Sequence, residues 1–141
     1  DLAAQLGHHQ GDECRLDAAA IRRDGFGVDR AFWCIVGEID GNVVGYALLT
    51  PWYEPAAAAR GLYIADLFVS PEARGNGLGR ALIRAAVVEA ARQKLTFVGW
   101  LSKAWNESAH AFYRSIGAVH EPAVGHALFG EAFDRLAGEG E

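Results

Sequence analysis

Leu62-Tyr63-Ile64-Ala65-Asp66-Leu67-Phe68-Val69, followed by Ser70-Pro71-Glu72 and then by Arg74-Gly75-Asn76-Gly77-Leu78-Gly79-Arg80, is the stretch that decides the fold. Apolar residues run almost unbroken over Leu62–Val69, the pattern of a central strand buried on both faces, and Pro71 ends it. From Leu78 to Gln93 the residues Leu78, Leu82, Val87 and Ala90 recur at helical spacing, with Arg80, Arg84 and Arg92 as polar residues. Leu95–Leu101 (LTFVGWL) reads as a second central strand. Strand, glycine loop, helix, strand is a βαβ unit, so the two strands are predicted to be parallel.

Toward the N-terminus, Ala31–Ile39 and Asn42–Leu49 are rich in β-branched and aromatic residues, and Asp40-Gly41 between them signals a hairpin. A hairpin joined to a βαβ unit gives a mixed central sheet with flanking helices, an α/β (α+β) class. Asp1–Leu6 is helix-compatible, Gly7–Gly11 reads as a loop, and Asp17–Arg23 forms a short helix with Asp17 as N-cap, ended by Gly25-Phe26-Gly27. Pro51 and Pro55 interrupt the chain, and Ala56–Ala59 is a loop or a helical scrap. On the C-terminal side, Asn106–Ile116 is a helix with Asn106 as N-cap and Gly117 at its stop; Ala118–Glu121 and Ala127–Phe129 read as short strands around Pro122.

The 141 residues make one domain, 1–141, with no linker or repeat. Thirteen Lys and Arg against eighteen Asp and Glu leave a net charge of −5, which argues against a nucleic-acid partner and favours neutral or cationic small molecules. No apolar run reaches the roughly 18 residues of a membrane span, so no membrane partner and a cytoplasmic location are expected. Cys14 and Cys34 match no metal or redox spacing and read as free, partly buried thiols. His8-His9 are adjacent, point to different faces and have no third ligand nearby, so no metal is expected. The chain contains no Met, even at position 1.

Placed where a buried strand turns into a helix, the glycine loop gathers unpaired N–H groups and the positive end of the helix dipole, and its natural guest is an anionic phosphate. Walker chemistry is excluded, because Gly79 is followed by Arg80 and Ala81 and no Mg²⁺-binding hydroxyl is present. A dinucleotide fingerprint fits poorly: Gly75, Gly77 and Gly79 are spaced by two, and Leu95–Leu101 carries no acidic residue at its end. A tight turn with a close helix–sheet contact stays open as the plain structural alternative.

Arg74, Gly77 and Gly79 also match an acetyl-CoA loop of the form Arg/Gln-x-x-Gly-x-Gly/Ala. At this point the chain resembles the GCN5-related N-acetyltransferases, the GNAT family. Trp105-Asn106-Glu107-Ser108-Ala109-His110-Ala111-Phe112-Tyr113, followed by Gly117-Ala118, is similar to the family's second CoA motif. Asp24-Gly25-Phe26-Gly27 and Leu62–Val69 look most like the diamine acetyltransferases of the spermidine/spermine type. The resemblance implies the GNAT fold, acetyl-CoA as cosubstrate and a homodimer. It also implies that the family's first strand and the start of its first helix, on the order of 15 residues, precede Asp1.

Carried over residue by residue, the resemblance has the backbone of Leu67, Phe68 and Val69 bind the pantetheine arm. It places the pyrophosphate on the amides of Gly75, Asn76, Gly77, Leu78, Gly79 and Arg80, with charge from Arg74 and Arg80, and gives Asn106 a cofactor contact. Tyr113 is the family's candidate acid for the departing thiolate; its plain role is a packed aromatic beside Phe112. The glutamate that polyamine enzymes carry before this Asp-Phe-Phe-Val-like segment is Ala65 here, and Val124 and His126 replace further acidic and Trp positions. Asp66, Glu54 and His126 are the substitute candidates for base or amine recognition, each with a structural role as its alternative. His110 and His120 read as surface or satisfied residues, and Trp33, Trp52 and Trp100 as core or pocket wall. The expected activity is transfer of acetyl to a primary amine of a small molecule by direct attack. Acetylation of a protein or peptide N-terminus, and a CoA-binding sensor without turnover, are the alternatives.

Overall fold

A computed structural model describes residues 2–11 and 13–140. Two compact units are distinguished, 1–103 and 104–141.

The first unit is built on a four-stranded sheet of order β1-β2-β3-β4, formed by β1 (Trp33–Ile39), β2 (Asn42–Glu54), β3 (Ala59–Val69) and β4 (Phe97–Trp100). The β1–β2 and β2–β3 pairs are antiparallel and β3–β4 is parallel, as the hairpin and βαβ readings require. Asp40 and Gly41 make the hairpin turn, both at positive φ (51° and 78°). Helix α1 (Leu2–Gln10) lies on one face of the sheet, where Ala3 and Leu6 join Phe32, Tyr46, Leu48 and Phe68 in a buried cluster. On the other face α3 (Leu78–Arg92) buries Leu82, Ile83, Ala86 and Ala90, and Leu78 lies over Gly37 and Gly45. Short helix α2 (Ala18–Gly25) starts where expected, with the Asp17 carboxylate accepting from the Ala20 N–H at 2.8 Å.

Several expectations change, and the second central strand is one of them: β4 spans only Phe97–Trp100, is half-buried and stands at the end of the sheet order. Helix α1 continues through Gly7, His8 and His9, which had read as loop; Leu6 and Gly7 are buried, and burial of one face outweighs the weak helix propensity of Gly. Pro51 sits inside β2 because β1 pairs no further than Leu49; beyond it β2 is an edge on that side, where a missing N–H costs no ladder bond. Val87 is 49% exposed, at the margin of the buried stripe of α3. Finally, β3 is covered on both faces, Leu62 and Ile64 being buried toward α3 and Phe68 toward α1, but its alternation is not continuous. Pairing runs Leu48 to Asp66 and then Leu49 to Ile64, so Ala65 is a bulge residue with no partner. Upstream, Leu62 and Ile64 share the α3 face with Leu49; downstream, Leu67 and Val69 take over that face while Asp66 and Phe68 turn to the other.

In the second unit, α4 (Glu107–Ser115) follows its N-cap Asn106 and α5 (Gly130–Gly138) follows an irregular segment. The short strands expected at Ala118–Glu121 and Ala127–Phe129 do not form, and all of these residues but the half-buried Ala118 are exposed. Three or four residues of strand-compatible sequence have no ladder of their own to hold them.

Candidate active site

Beyond Ile64 paired with Trp100, β3 leaves its parallel neighbour: the β3–β4 ladder covers only Gly61–Ile64, whereas β3 continues to Val69. From Leu67 to Val69 the backbone edge on that side has no β4 partner, with the Ala65 bulge marking the point of departure. At the end of this edge the chain turns through a short 3-10 turn (Pro71–Ala73) into the glycine loop.

Gly75 and Gly77 hold φ of 82° and 77°, and an added Cβ at either would meet no atom within 4 Å. At these two positions glycine serves a tight turn at positive φ rather than a close helix–sheet contact. Gly77 is the N-cap of α3; it supplies no side-chain cap, and no acidic residue lies in the first turn. The first amides of the helix and its dipole are thus left for an external anion. Arg74 is fixed beside them, donating through Nε to the Val69 carbonyl at 2.9 Å and lying 5.6 Å from the centre of the Phe68 ring. Asn76 donates to the Ala73 carbonyl at 3.4 Å, which stiffens the loop. An open pocket of about 450 Å³ adjoins Arg74, lined also by Phe68 and Pro71 and by His8 and His9 of α1.

On the α1 face, immediately after the bulge, Asp66 accepts a hydrogen bond at Oδ2 from the Tyr46 hydroxyl at 3.0 Å. Burial pushes the Asp66 carboxyl above its ordinary value, and the Tyr46 bond opposes that shift. Burial and then the Asp66 charge push Tyr46 and Tyr63 up, and the Cys34 thiol moves the same way for the same reasons. Tyr46 was flagged by no motif; a phenol one strand away from a carboxylate is visible only once the register is known. Trp52 stacks edge-on against Tyr63 and Phe97 at 5.1 and 5.7 Å and walls the same face.

Glu54 is occupied otherwise, accepting from the Ala56 N–H at 3.1 Å as cap of the 3-10 turn Pro55–Ala57. His126 is exposed in the irregular segment of the second unit. There, Asn106 performs its capping role, accepting from the Ala109 N–H at 3.3 Å, and Tyr113 lies on α4 at 5.4 Å from the Phe112 ring. Burial pushes the Tyr113 phenol up. His110 is buried, 6% exposed, with its ring 5.0 Å from that of His120. Cys14 and Cys34 are free, Cys34 more exposed than expected. No group of three or more His, Cys, Asp or Glu suited to a metal occurs among the described residues. No helix among them is long and apolar enough to cross a membrane.

A strand edge that parts from its neighbour and feeds a glycine loop and an uncapped helix is also a pattern of known proteins, and residues 5–118 match the acetyltransferase (GNAT) family. The chain belongs to that family. It is an N-acetyltransferase by that membership and by its relatives. It is 31% identical over 140 residues to the thialysine N-epsilon-acetyltransferase of Sus scrofa, covering 91% of this chain and 82% of the relative. It is 34% identical over 79 residues to the L-ornithine N5-acetyltransferase of Arabidopsis thaliana, covering 56% of this chain and 35% of that one. Among solved structures, an integron cassette protein from the mobile metagenome of V. cholerae superposes with a TM-score of 0.80 at 25% identity, covering 98% of this chain and 88% of that chain.

Proposed function

We propose that this acetyltransferase transfers acetyl from acetyl-CoA to a primary amine of a small molecule. The observation that carries the reading is the departure of β3 from β4 at Ile64, directly upstream of an uncapped helix N-terminus. Leu67, Phe68 and Val69 offer backbone groups to a pantetheine arm. The amides from Gly75 to Arg80 face a pyrophosphate, with Arg74 and Arg80 adding charge. Bound there, acetyl-CoA supplies an activated thioester carbonyl. Tyr113 is the proposed acid: with its phenol pushed above the ordinary value by burial, it keeps its proton at neutral pH and can donate to a departing thiolate. Asn106 supports it by fixing the start of α4. The small-molecule class is supported by the named substrates of the relatives, thialysine and ornithine, both compact amino acids with a terminal amine. A homodimer is the proposed assembly, supported by the resemblance to diamine acetyltransferases.

The test is acetyl-CoA consumption over a panel of amino acids, diamines, polyamines, aminoglycosides and peptides, alongside calorimetric CoA binding. Amine-dependent thiol release with amino acids or diamines, lost by roughly 100-fold or more in Tyr113→Phe while CoA still binds, supports the reading. CoA binding with no turnover on any amine overturns the enzymatic assignment, and preference for peptides overturns the substrate class.

A further inference from the structure

On the sheet face opposite α3, three strands converge on one carboxylate. Tyr46 of β2 donates to Asp66 Oδ2 of β3 at 3.0 Å, and this is the one hydrogen bond that the Asp66 carboxylate makes among the described residues, leaving Oδ1 available. Cys34 of β1 occupies the same row, since it pairs with Leu48 and Leu48 pairs with Asp66. Asp66 is also the first residue past the bulge, where β3 has already parted from β4. A half-buried carboxylate with one oxygen fixed and the other unbonded stands beside the opening that would receive the thioester.

We propose that Asp66, positioned by Tyr46, accepts the proton of the incoming amine in this reaction. The proposal rests on the acetyltransferase reading above. An alkylammonium has a pKa of about 10 and no lone pair with which to attack. One N–H proton passes to Asp66 Oδ1; the freed pair forms the C–N bond to the acetyl carbon as the C–S bond breaks, and a second N–H proton ends on the thiol. Asp66 then returns its proton to solvent. Burial strengthens it as an acceptor by narrowing the gap to the ammonium. The groups that face it are Cys34 on β1, Tyr46 on β2 and Tyr63 on β3; Cys14 lies beyond Tyr46, and α1 contributes Ala3 and Leu6 to the cluster, with His8 and His9 lining the pocket by Arg74. Tyr46 is a positioning residue: its bond to Oδ2 lowers the proton affinity of Asp66 and aims Oδ1 outward.

The experiment is the pH profile of kcat/KM on the best amine of the panel for wild type, Asp66→Asn, Asp66→Glu and Tyr46→Phe, with CoA binding measured for each. The expected result is a kcat loss on the order of 100-fold or more in Asp66→Asn with CoA affinity kept, together with loss of the acidic limb of the profile. Asp66→Glu recovers part of the rate, and Tyr46→Phe moves the acidic limb to higher pH by removing the bond that holds the carboxyl down. Asp66→Asn turning over within a few-fold of wild type overturns the proposal and leaves the acetyltransferase reading intact. If Asp66→Asn does not fold, an unmoved limb in Tyr46→Phe overturns it instead. An inactive but CoA-binding wild type overturns both.

Discussion

Arg74 Nε donates to the carbonyl of Val69 at 2.9 Å, joining the first residue of the glycine loop to the last residue of β3. The guanidinium is thereby oriented before any anion arrives, so little side-chain entropy remains to be lost on binding. Arg74→Ala is expected to raise the KM and Kd for acetyl-CoA about tenfold with kcat nearly unchanged, since a contact to a non-reacting phosphate binds ground state and transition state alike. A kcat loss at unchanged KM would place Arg74 elsewhere in the chemistry.

Two glycines should respond to alanine for different reasons. At Gly45 a Cβ would stand 2.9 Å from the Phe68 carbonyl oxygen and 3.3 Å from both Leu78 and Leu82, so the backbone of β3 must shift; a loss of about 2 kcal/mol is expected in urea unfolding. At Gly77 nothing obstructs the methyl, but φ is 77°, and the cost is the left-handed penalty of about 1 kcal/mol. Relative to the stability each loses, CoA affinity should fall more in Gly77→Ala. Equal stability losses with equal affinity losses would contradict this division.

Asp66→Asn should be at least as stable as wild type at pH 8. The folded-state pKa of Asp66 is raised, so the native state binds its proton more tightly than the unfolded chain does. Its contribution to stability therefore declines as pH climbs from the unfolded value through the folded one, and the charged form carries a burial penalty at neutral pH that the amide lacks. The difference in urea midpoints should shrink as pH drops to the ordinary carboxylate value of 3.8. A variant less stable at pH 8 than at pH 4, relative to wild type, would show that the carboxylate is an asset to the fold.

Glu89 shows the opposite sign. Its hydrogen bonds from Arg92 and Gln93 hold its carboxyl at about 2, below the ordinary 4.5. What it contributes is present above pH 4.5 and lost as pH falls toward 2. The site is on the surface, so the effect is small and screened by salt. Glu89→Gln should lower the unfolding midpoint slightly at pH 7, and the difference should shrink steadily as pH falls from 4.5 toward 2; a difference that does not shrink over that range would point to packing instead.

The strand-to-helix turn proposed to hold the cofactor was legible in the residues. Arg74 and the alternating glycines stand at a strand-to-helix turn, and their chemistry depends on backbone conformation that local sequence dictates. The pairing of Asp66 with Tyr46 was not. Asp66 could be named as a candidate, yet Tyr46 lies 20 residues earlier on another strand, and only the register across β2 and β3 brings the two together. Leu62–Val69 looked like one unbroken apolar strand because two alternations of opposite phase, Leu62 and Ile64 before Ala65 and Leu67 and Val69 after it, merge into one run. The extra turn of α1 and Pro51 inside β2 depend likewise on neighbours that a linear pattern does not reveal.

The bulge at Ala65 divides one strand into two jobs. Residues before it spend their backbone groups on β2 and β4 and so belong to folding; residues after it pair with β2 alone, and among the described residues the far edge is engaged by Arg74 at the Val69 carbonyl. Substitutions upstream should therefore register in unfolding measurements and those downstream in ligand affinity. A single strand thus lets the protein alter what it grips without reopening the question of whether it folds.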